Sequence, residues 1–519
     1  MAFHQAAGAT RHFTRKHFPV LTKLVGRKRF SVKLHGSSNP NLVSPIHLLP
    51  PEILIRIFDL VCHIHSYYFC PAAIHPDRLS KTSRPFLKQP VTLSHVCSRW
   101  RRITIDLASL WSHIDLFPDQ CYDLMLSARL ETYVARSAQA LLDIHIILRS
   151  SNSKDLLALS DNQVDDNACT IFPFLTTAAP RVRSLSIMAR SSTPLGDKFC
   201  ASVLATCFAH CIPGTITDVS IEAPGPLDYD WIPSMQPYLR EGRLAKSTIE
   251  TLWAPITVLH LSQCDIPWSS KAYHGLTELR LHDCPSLNSS RLMSILQSSP
   301  QLRVLELDSF RRPISENPLW EPVPLNNLEV LVLVGVQDCC LGSVLRLIAP
   351  GPKPLSLSIS NPLDYYTGFA SKTELQSFIS RSNITQLCVN KVQKYAQLVE
   401  ICDLIPTVHT LAVDSFSCED TAEDDSPPPS FTLDALYIVR SRGLSSHAWA
   451  VIESLVNRYQ LQKLVLWWCD FRALELDVPG GDMVPGNLYT ICPVVKVAPD
   501  DEPNPIDGWY FQGLHNYFS

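Results

Sequence analysis

With 519 residues, 46% of them hydrophobic and a mean hydropathy of +0.05, the chain can bury a large core and is too long for one ordinary domain. A net charge of −4 and an isoelectric point near 6.5 argue against a protein whose main partner is nucleic acid. No run of 18 or more apolar residues occurs, so the sequence offers no membrane-spanning helix.

The seventeen cysteines are scattered, several of them inside apolar runs, which is the pattern of buried thiols in a reducing compartment, cytoplasmic or nuclear. Forty prolines against eighteen glycines predict many short elements punctuated by rigid turns. Residues 1–43 carry eight Lys and Arg residues and no Asp or Glu. They read first as a disordered basic tail, with a mitochondrial presequence or a nuclear-import patch at Arg27–Arg29 as alternatives.

From His47 the chain reads His-Leu-Leu-Pro-Pro-Glu-Ile-Leu-Ile-Arg-Ile-Phe-Asp-Leu-Val. Pro50 and Pro51 suit a first helical turn, where an amide has no partner, and Glu52 meets the positive end of the helix dipole. Ile53, Ile57 and Leu60 share one face, and Leu54, Phe58 and Val61 an adjacent one. Leu93, Val96, Cys97, Trp100 and Ile103 form a second helical stripe, and Leu110, Trp111, Ile114 and Leu116 a third apolar piece. So small a unit cannot bury all of this and needs a partner or the rest of the chain against it.

In this order, Leu-Pro-Pro-Glu-Ile-Leu…Ile-Phe, Leu-Ser-His-Val-Cys-Ser-Arg-Trp-Arg and Leu-Trp-Ser resemble the F-box, most closely that of fungal F-box proteins, over residues 44–117. The resemblance implies docking on the adaptor subunit of a cullin–RING (SCF) ubiquitin ligase and, through it, on cullin. By motif the contacts would be Leu49, Pro50, Glu52, Ile53, Ile57 and Phe58, with Val96, Cys97 and Trp100 completing the module. The sequence departs from the pattern by about twenty extra residues between His63 and Pro90. Taken by periodicity alone, these stripes would be those of an ordinary helical subdomain.

Behind this block a six-residue template, apolar at positions one, four and six, starts at Val182, Ile216, Ile256, Leu276, Leu302, Leu328, Ile384, Val408, Leu433 and Leu461, with weaker copies at Leu141 and Pro354. From Ile256 onward the starts lie 20, 26, 26, 26, 30, 24, 25 and 28 residues apart. That is the period of leucine-rich repeats, which these resemble. Helical periodicity fills the intervals, as at Leu292, Ile295 and Leu296. The predicted fold class is therefore α/β: a small helical F-box, then over 118–477 a curved leucine-rich-repeat-like solenoid with a parallel inner sheet and outer helices. Wider spacing before Ile256 predicts a looser first part. Cys264, Cys284 and Cys469 each follow their strand as Leu-x-Leu-x-x-Cys, where the side chain can serve backbone groups of the turn. Asp414–Ser430 reads as a solvated acidic loop, and 478–519 as an irregular tail.

Position five of each template is expected to face solvent on the inner side: Ser186, Ser220, His260, Arg280, Glu306, Val332, Ser358, Cys388, Ala412, Tyr437 and Val465. From these, and from Trp467 beyond the last repeat, His260, Arg280, Glu306, Tyr437 and Trp467 are the candidates for binding a protein substrate. Packing of Trp467 and Trp468 under the C-terminal tail is the competing expectation. No nucleotide-, zinc- or serine-hydrolase fingerprint occurs, so neither cofactor nor metal nor catalytic residue is assigned. Cys62, His63, His65, Cys70 and His75 lack a Cys-x-x-Cys pair, and Cys207 and Cys211 sit in an apolar helix as core thiols. The expectation is a non-catalytic ligase adaptor without nucleic-acid or membrane partner; a leucine-rich scaffold independent of ubiquitination is the alternative.

Overall fold

The computed structural model describes residues 45–68, 89–116, 124–148, 171–189, 194–222, 246–284, 286–310, 321–336, 338–360, 372–392, 394–416, 429, 431–441, 446–469, 487–498, 504–506 and 509. The basic tail, most of the 63–90 insertion and most of the acidic loop lie outside them. Two compact units are distinguished, Met1–Leu54 and Ile55–Ser519. None of the described helices is long and apolar enough to cross a membrane.

The second unit is α/β and is organised by one 14-stranded sheet, every pairing of which is parallel. Its strands are β1 (His113–Leu116), β2 (Leu142–Leu148), β3 (Val182–Ala189), β4 (Asp218–Glu222), β5 (Val258–Ser262), β6 (Glu278–His282) and β7 (Val304–Asp308). After a short β8 (Val323–Leu325) come β9 (Val330–Val334) and a short β10 (Ile348–Pro350), which pairs with β8. The main sheet then continues with β11 (Leu355–Ser360), β12 (Ile384–Asn390), β13 (Thr410–Asp414), β14 (Ala435–Val439), β15 (Lys463–Trp467) and β16 (Val494–Ala498). Main-sheet strands lie side by side in chain order. Parallel neighbours joined by right-handed crossovers put their connecting helices on one face, so among the described residues the other face carries none.

The helix-side face is built by template positions four and six. Leu259, Leu261, Leu279, Leu281, Leu305, Leu307, Leu411 and Leu464 are at most 1% exposed. A crossover shows the local logic. The helix Ser289–Ser298 starts at Asn288, whose Oδ1 accepts from the Arg291 amide at 3.0 Å, and it buries Leu292, Ile295 and Leu296.

A repeat device that the apolar template does not show closes the strands. The residue directly after β5, β6, β7, β12, β13, β14 and β15 (Gln263, Asp283, Ser309, Lys391, Ser415, Arg440 and Trp468) is left-handed, with φ of 46–59°. Except at Trp468, the amide of each donates to the last carbonyl of the next strand, at 2.8–3.1 Å. After β9 the same place is held by Gly335, at φ 66°, where an added Cβ would lie 2.8 Å from Asp308 Oδ1.

Three expectations are corrected. Ile114 and Leu116 belong to strand β1, so the sheet begins inside the stretch assigned to the F-box; the alternation of His113-Ile-Asp-Leu is a strand pattern. The Leu93–Ile103 stripe is two helices, Gln89–Ser94 and Ser98–Asp106, because Cys97 is extended (φ −155°, ψ 172°) and caps the second. The stretch expected to be an irregular tail supplies β16, since Val494-Val-Lys-Val-Ala is strand-forming sequence placed beside β15. The four strands before Ile256 join the same sheet, in parallel, as the rest.

Candidate functional site

In the helical block the Ile53 and Leu54 amides both donate to the Pro50 carbonyl at 3.2 Å, opening the helix Pro51–Tyr68. Of the residues singled out here, Pro50, Glu52, Ile53 and Val96 are exposed, Ile53 by 48% and Val96 by 55%. Leu49, Ile57, Cys97 and Trp100 are half-buried. Phe58, expected among the contacts, is 1% exposed and packs its ring 4.8 Å from that of Trp100, so it serves the inside of the block. Cys97 caps its helix by accepting from the Trp100 amide at 3.4 Å. Trp111 anchors the block to the sheet side: its indole donates to the Thr104 carbonyl at 2.7 Å, and its ring meets Tyr133 edge-on at 5.0 Å. Seven of the thirteen large apolar side chains exposed among the described residues fall between Leu48 and Ile105, including Ile55, Leu60, Val61 and Ile105, which motif reading did not single out. Their signal was available, since a helix with two apolar faces cannot bury both in so short a block.

The helix-free face of the sheet divides into two halves. In the first, His260, Arg280 and Glu306 stand in register on β5, β6 and β7, as expected. The strands run past position six, so position seven shares this face, and His282 and Asp308 join the group. Arg280 binds Glu306 at 3.0 Å and Glu278 at 3.5 Å; His282 Nε2 lies 3.1 Å from Glu306 Oε1, and its Nδ1 lies 3.7 Å from Asp308. Burial would lower the His282 pKa, but Glu306 and Asp308 outweigh it and hold the imidazole above its ordinary value. Burial, then Arg280 and His282, pushes His260 well below its own. Glu306 is 1% exposed, so the charge is not offered to solvent as expected; it is consumed by its neighbours.

A second polar group sits at the start of the sheet. His113 Nε2 lies 3.2 Å from Asp115 Oδ1, and the rings of His113 and His145 are 4.6 Å apart. Burial and then His113 bring His145 down to about 4.

In the second half the same face turns mostly apolar, although Asn390 and Asp414, which pairs with Arg440, also stand on it. Val332, Cys388, Ala412, Val439, Trp467 and Ala498 form one buried cluster, against which Tyr437 and Trp509 pack. Val332, Ser358, Cys388, Ala412 and Val465 are at most 2% exposed, so these position-five residues too are covered where solvent exposure was expected. Tyr437 is half-buried, and Trp467 is 7% exposed. Ile506 of the C-terminal segment is fully buried in the cluster, and the Trp509 ring meets Tyr437 edge-on at 5.6 Å. The five candidates thus separate into a charged group and an apolar group. The second is covered by the chain's own end, which fits the competing expectation for Trp467.

The thiols of Cys264, Cys284 and Cys469 donate to the carbonyls of Ile221, Leu261 and Ile438 on the preceding strand, at 3.6, 3.8 and 3.4 Å. Burial pushes the Cys62 and Cys207 thiols up to about 12, which leaves them poor nucleophiles. Among the described residues no group of His, Cys, Asp and Glu is arranged to hold a metal ion. No protein-family model matches the chain, and no curated protein matches it significantly.

Proposed function

We propose that the chain is a non-catalytic substrate-recognition adaptor of an SCF-type ubiquitin ligase. Its F-box docks on the ligase's adaptor subunit, and its sheet, a stack of leucine-rich repeats, carries a protein substrate. Such an adaptor accelerates transfer by raising the effective concentration of substrate near the ligase's own machinery. The observation that carries the reading is the concentration of exposed large apolar side chains in the stretch that also bears the three F-box-like sequence blocks. A helical block that docks on a partner must leave such residues uncovered for it. The repeat period and the in-order parallel strands support the leucine-rich assignment.

The test is a pull-down of the full chain with purified SCF adaptor subunit. The wild type is expected to bind, and the double variant Leu49→Ala/Pro50→Ala is expected to lose binding with its unfolding midpoint little changed. Full binding by that variant would move the docking surface elsewhere. No binding by a folded wild type would remove the ligase reading and leave an interaction scaffold.

A further inference from the structure

The helix-free face of β13–β15 is occupied by Ile506 and Trp509 of the same chain, and the manner of the contact matters. The Trp509 amide donates to the Ile506 carbonyl at 3.0 Å, the bond of a β-turn, and Asn504 Oδ1 accepts from the Ile506 amide at 3.2 Å. Both bonds are internal to the segment. Ile506 is fully buried among Val439, Trp467 and Ala498, and Trp509 lies against Tyr437.

This is how a short peptide motif is held: a turn presents two anchors three residues apart to a preformed apolar surface, with no strand added to the sheet. The side chains beneath stand on strands whose opposite face is packed by the buried Leu411, Leu436 and Leu464. Lys463 stands on the same face, its Nζ 3.3 Å from the Tyr437 hydroxyl, and Lys496 stands in register beside Val465. The segment itself follows Asp500, Asp501 and Glu502 in sequence. Only residues 499–503 separate β16 from Asn504, and so short a tether gives the segment an effective concentration on the order of millimolar. One buried and one half-buried anchor, held by a tether, make an occupant that local opening can release.

We infer that the face around Tyr437, Val439, Trp467 and Ala498 is a peptide-binding surface whose resting occupant is the chain's own Ile506–Trp509 turn. The partner it takes is an acidic peptide with an aliphatic residue three positions ahead of an aromatic one. The inference concerns the sheet face alone and does not depend on docking to a ligase.

The probe is a fluorescein-labelled peptide of residues 500–512, measured by fluorescence anisotropy against the full chain. The full-length variant Ile506→Ser/Trp509→Ala, freed of its internal competitor, is expected to bind the probe at least tenfold more tightly than wild type. A probe carrying the same two substitutions is expected to bind neither chain. Equal affinity of both chains for the unsubstituted probe, or no binding by a variant with native circular dichroism, would overturn the inference and leave the segment a fixed cap. Should the variant fail to fold, hydrogen exchange on the wild type decides. Excess probe is expected to accelerate exchange of the Trp509 amide, and an unchanged rate would overturn the inference equally.

Discussion

The two halves of the helix-free face share a backbone and differ in almost everything else. Across β5–β7 it presents His260, Arg280, Glu306, His282 and Asp308, an acid–base set that satisfies itself. Across β12–β16 the corresponding positions are mostly apolar, Cys388, Ala412, Tyr437, Val439, Trp467 and Ala498, covered in part by Ile506 and Trp509, with Asn390 and a buried Asp414 paired with Arg440 among them. Parallel register and the left-handed residue after the strand are common to both halves. The leucines of the opposite face hold the stack together, so the helix-free face is free to vary. Two solutions to burying a sheet face coexist: pair the charges, or use apolar side chains and lay the chain over them.

The sharpest way to test that division is to remove one anchor from each half. Trp467 occupies position seven of β15 and is 7% exposed. Trp467→Ala should cost about 4 kcal/mol, because the cavity and the lost transfer energy add. Urea unfolding followed by circular dichroism measures it, and a cost below about 1 kcal/mol would mean that the apolar cluster does not stabilise its half. In the charged half, Glu306→Ala strands the buried Arg280 and His282 and should cost about 3 kcal/mol. Glu306→Gln retains hydrogen-bonding capacity and should cost less. Equal and small losses for both would show that pairing does not hold the charged half.

Acid separates the halves next. His145 titrates near 4 in the fold because burial and His113 disfavour its charge, against about 6.5 in the unfolded chain. The unfolded state therefore binds a proton that the folded state refuses, so the stability His145 contributes is present above pH 6.5 and lost as the pH falls toward 4. The loss should reach about 3 kcal/mol. His282 has the opposite sign. Its raised value makes its contribution complete below about pH 6.5 and lost as the pH rises through its folded value. No histidine stands on the described part of this face in β9–β16. Between pH 6.5 and 4 the protection factors, exchange rates divided into the intrinsic rate at each pH, should consequently fall in β1–β3 more than in β13–β15, and His145→Gln should flatten that difference. A uniform fall would place the acid sensitivity elsewhere.

What the sequence made legible follows the same line. Leucines at positions four and six repeat with a fixed offset, and they locate the strands because that face is always buried by the same means. Position five repeats in place but not in chemistry, so its exposure could not be read: Glu306 is buried by Arg280 and His282, residues on the adjoining strand. Ile506 lies outside any repeat, and its burial depends on a surface assembled from several strands. In the helical block the motif spacing marked Pro50, Glu52, Ile53 and Val96, which are exposed, but could not tell Phe58 from them, because the ring that buries it, Trp100, lies across the insertion.

The smallest effect probes what the halves have in common. Gln263 ends β5 in the charged half and Lys391 ends β12 in the apolar half, with φ of 59° and 58°. A side chain in that conformation costs about 1–2 kcal/mol, while glycine adds about 0.5–1 kcal/mol of conformational entropy to be lost on folding. Gln263→Gly and Lys391→Gly should therefore each stabilise the chain by about 0.5 kcal/mol, read as a rise in urea midpoint at constant slope. The Gln263 and Lys391 amides already donate to the His282 and Asp414 carbonyls, at 2.8 Å each, and glycine keeps that bond. Matching gains in both halves would establish the left-handed closure as a property of the repeat, independent of what the face above it carries. A gain at one site and a loss at the other would mean that the chemistry of the helix-free face reaches into the backbone, and the two halves would then differ in architecture as well as in side chains.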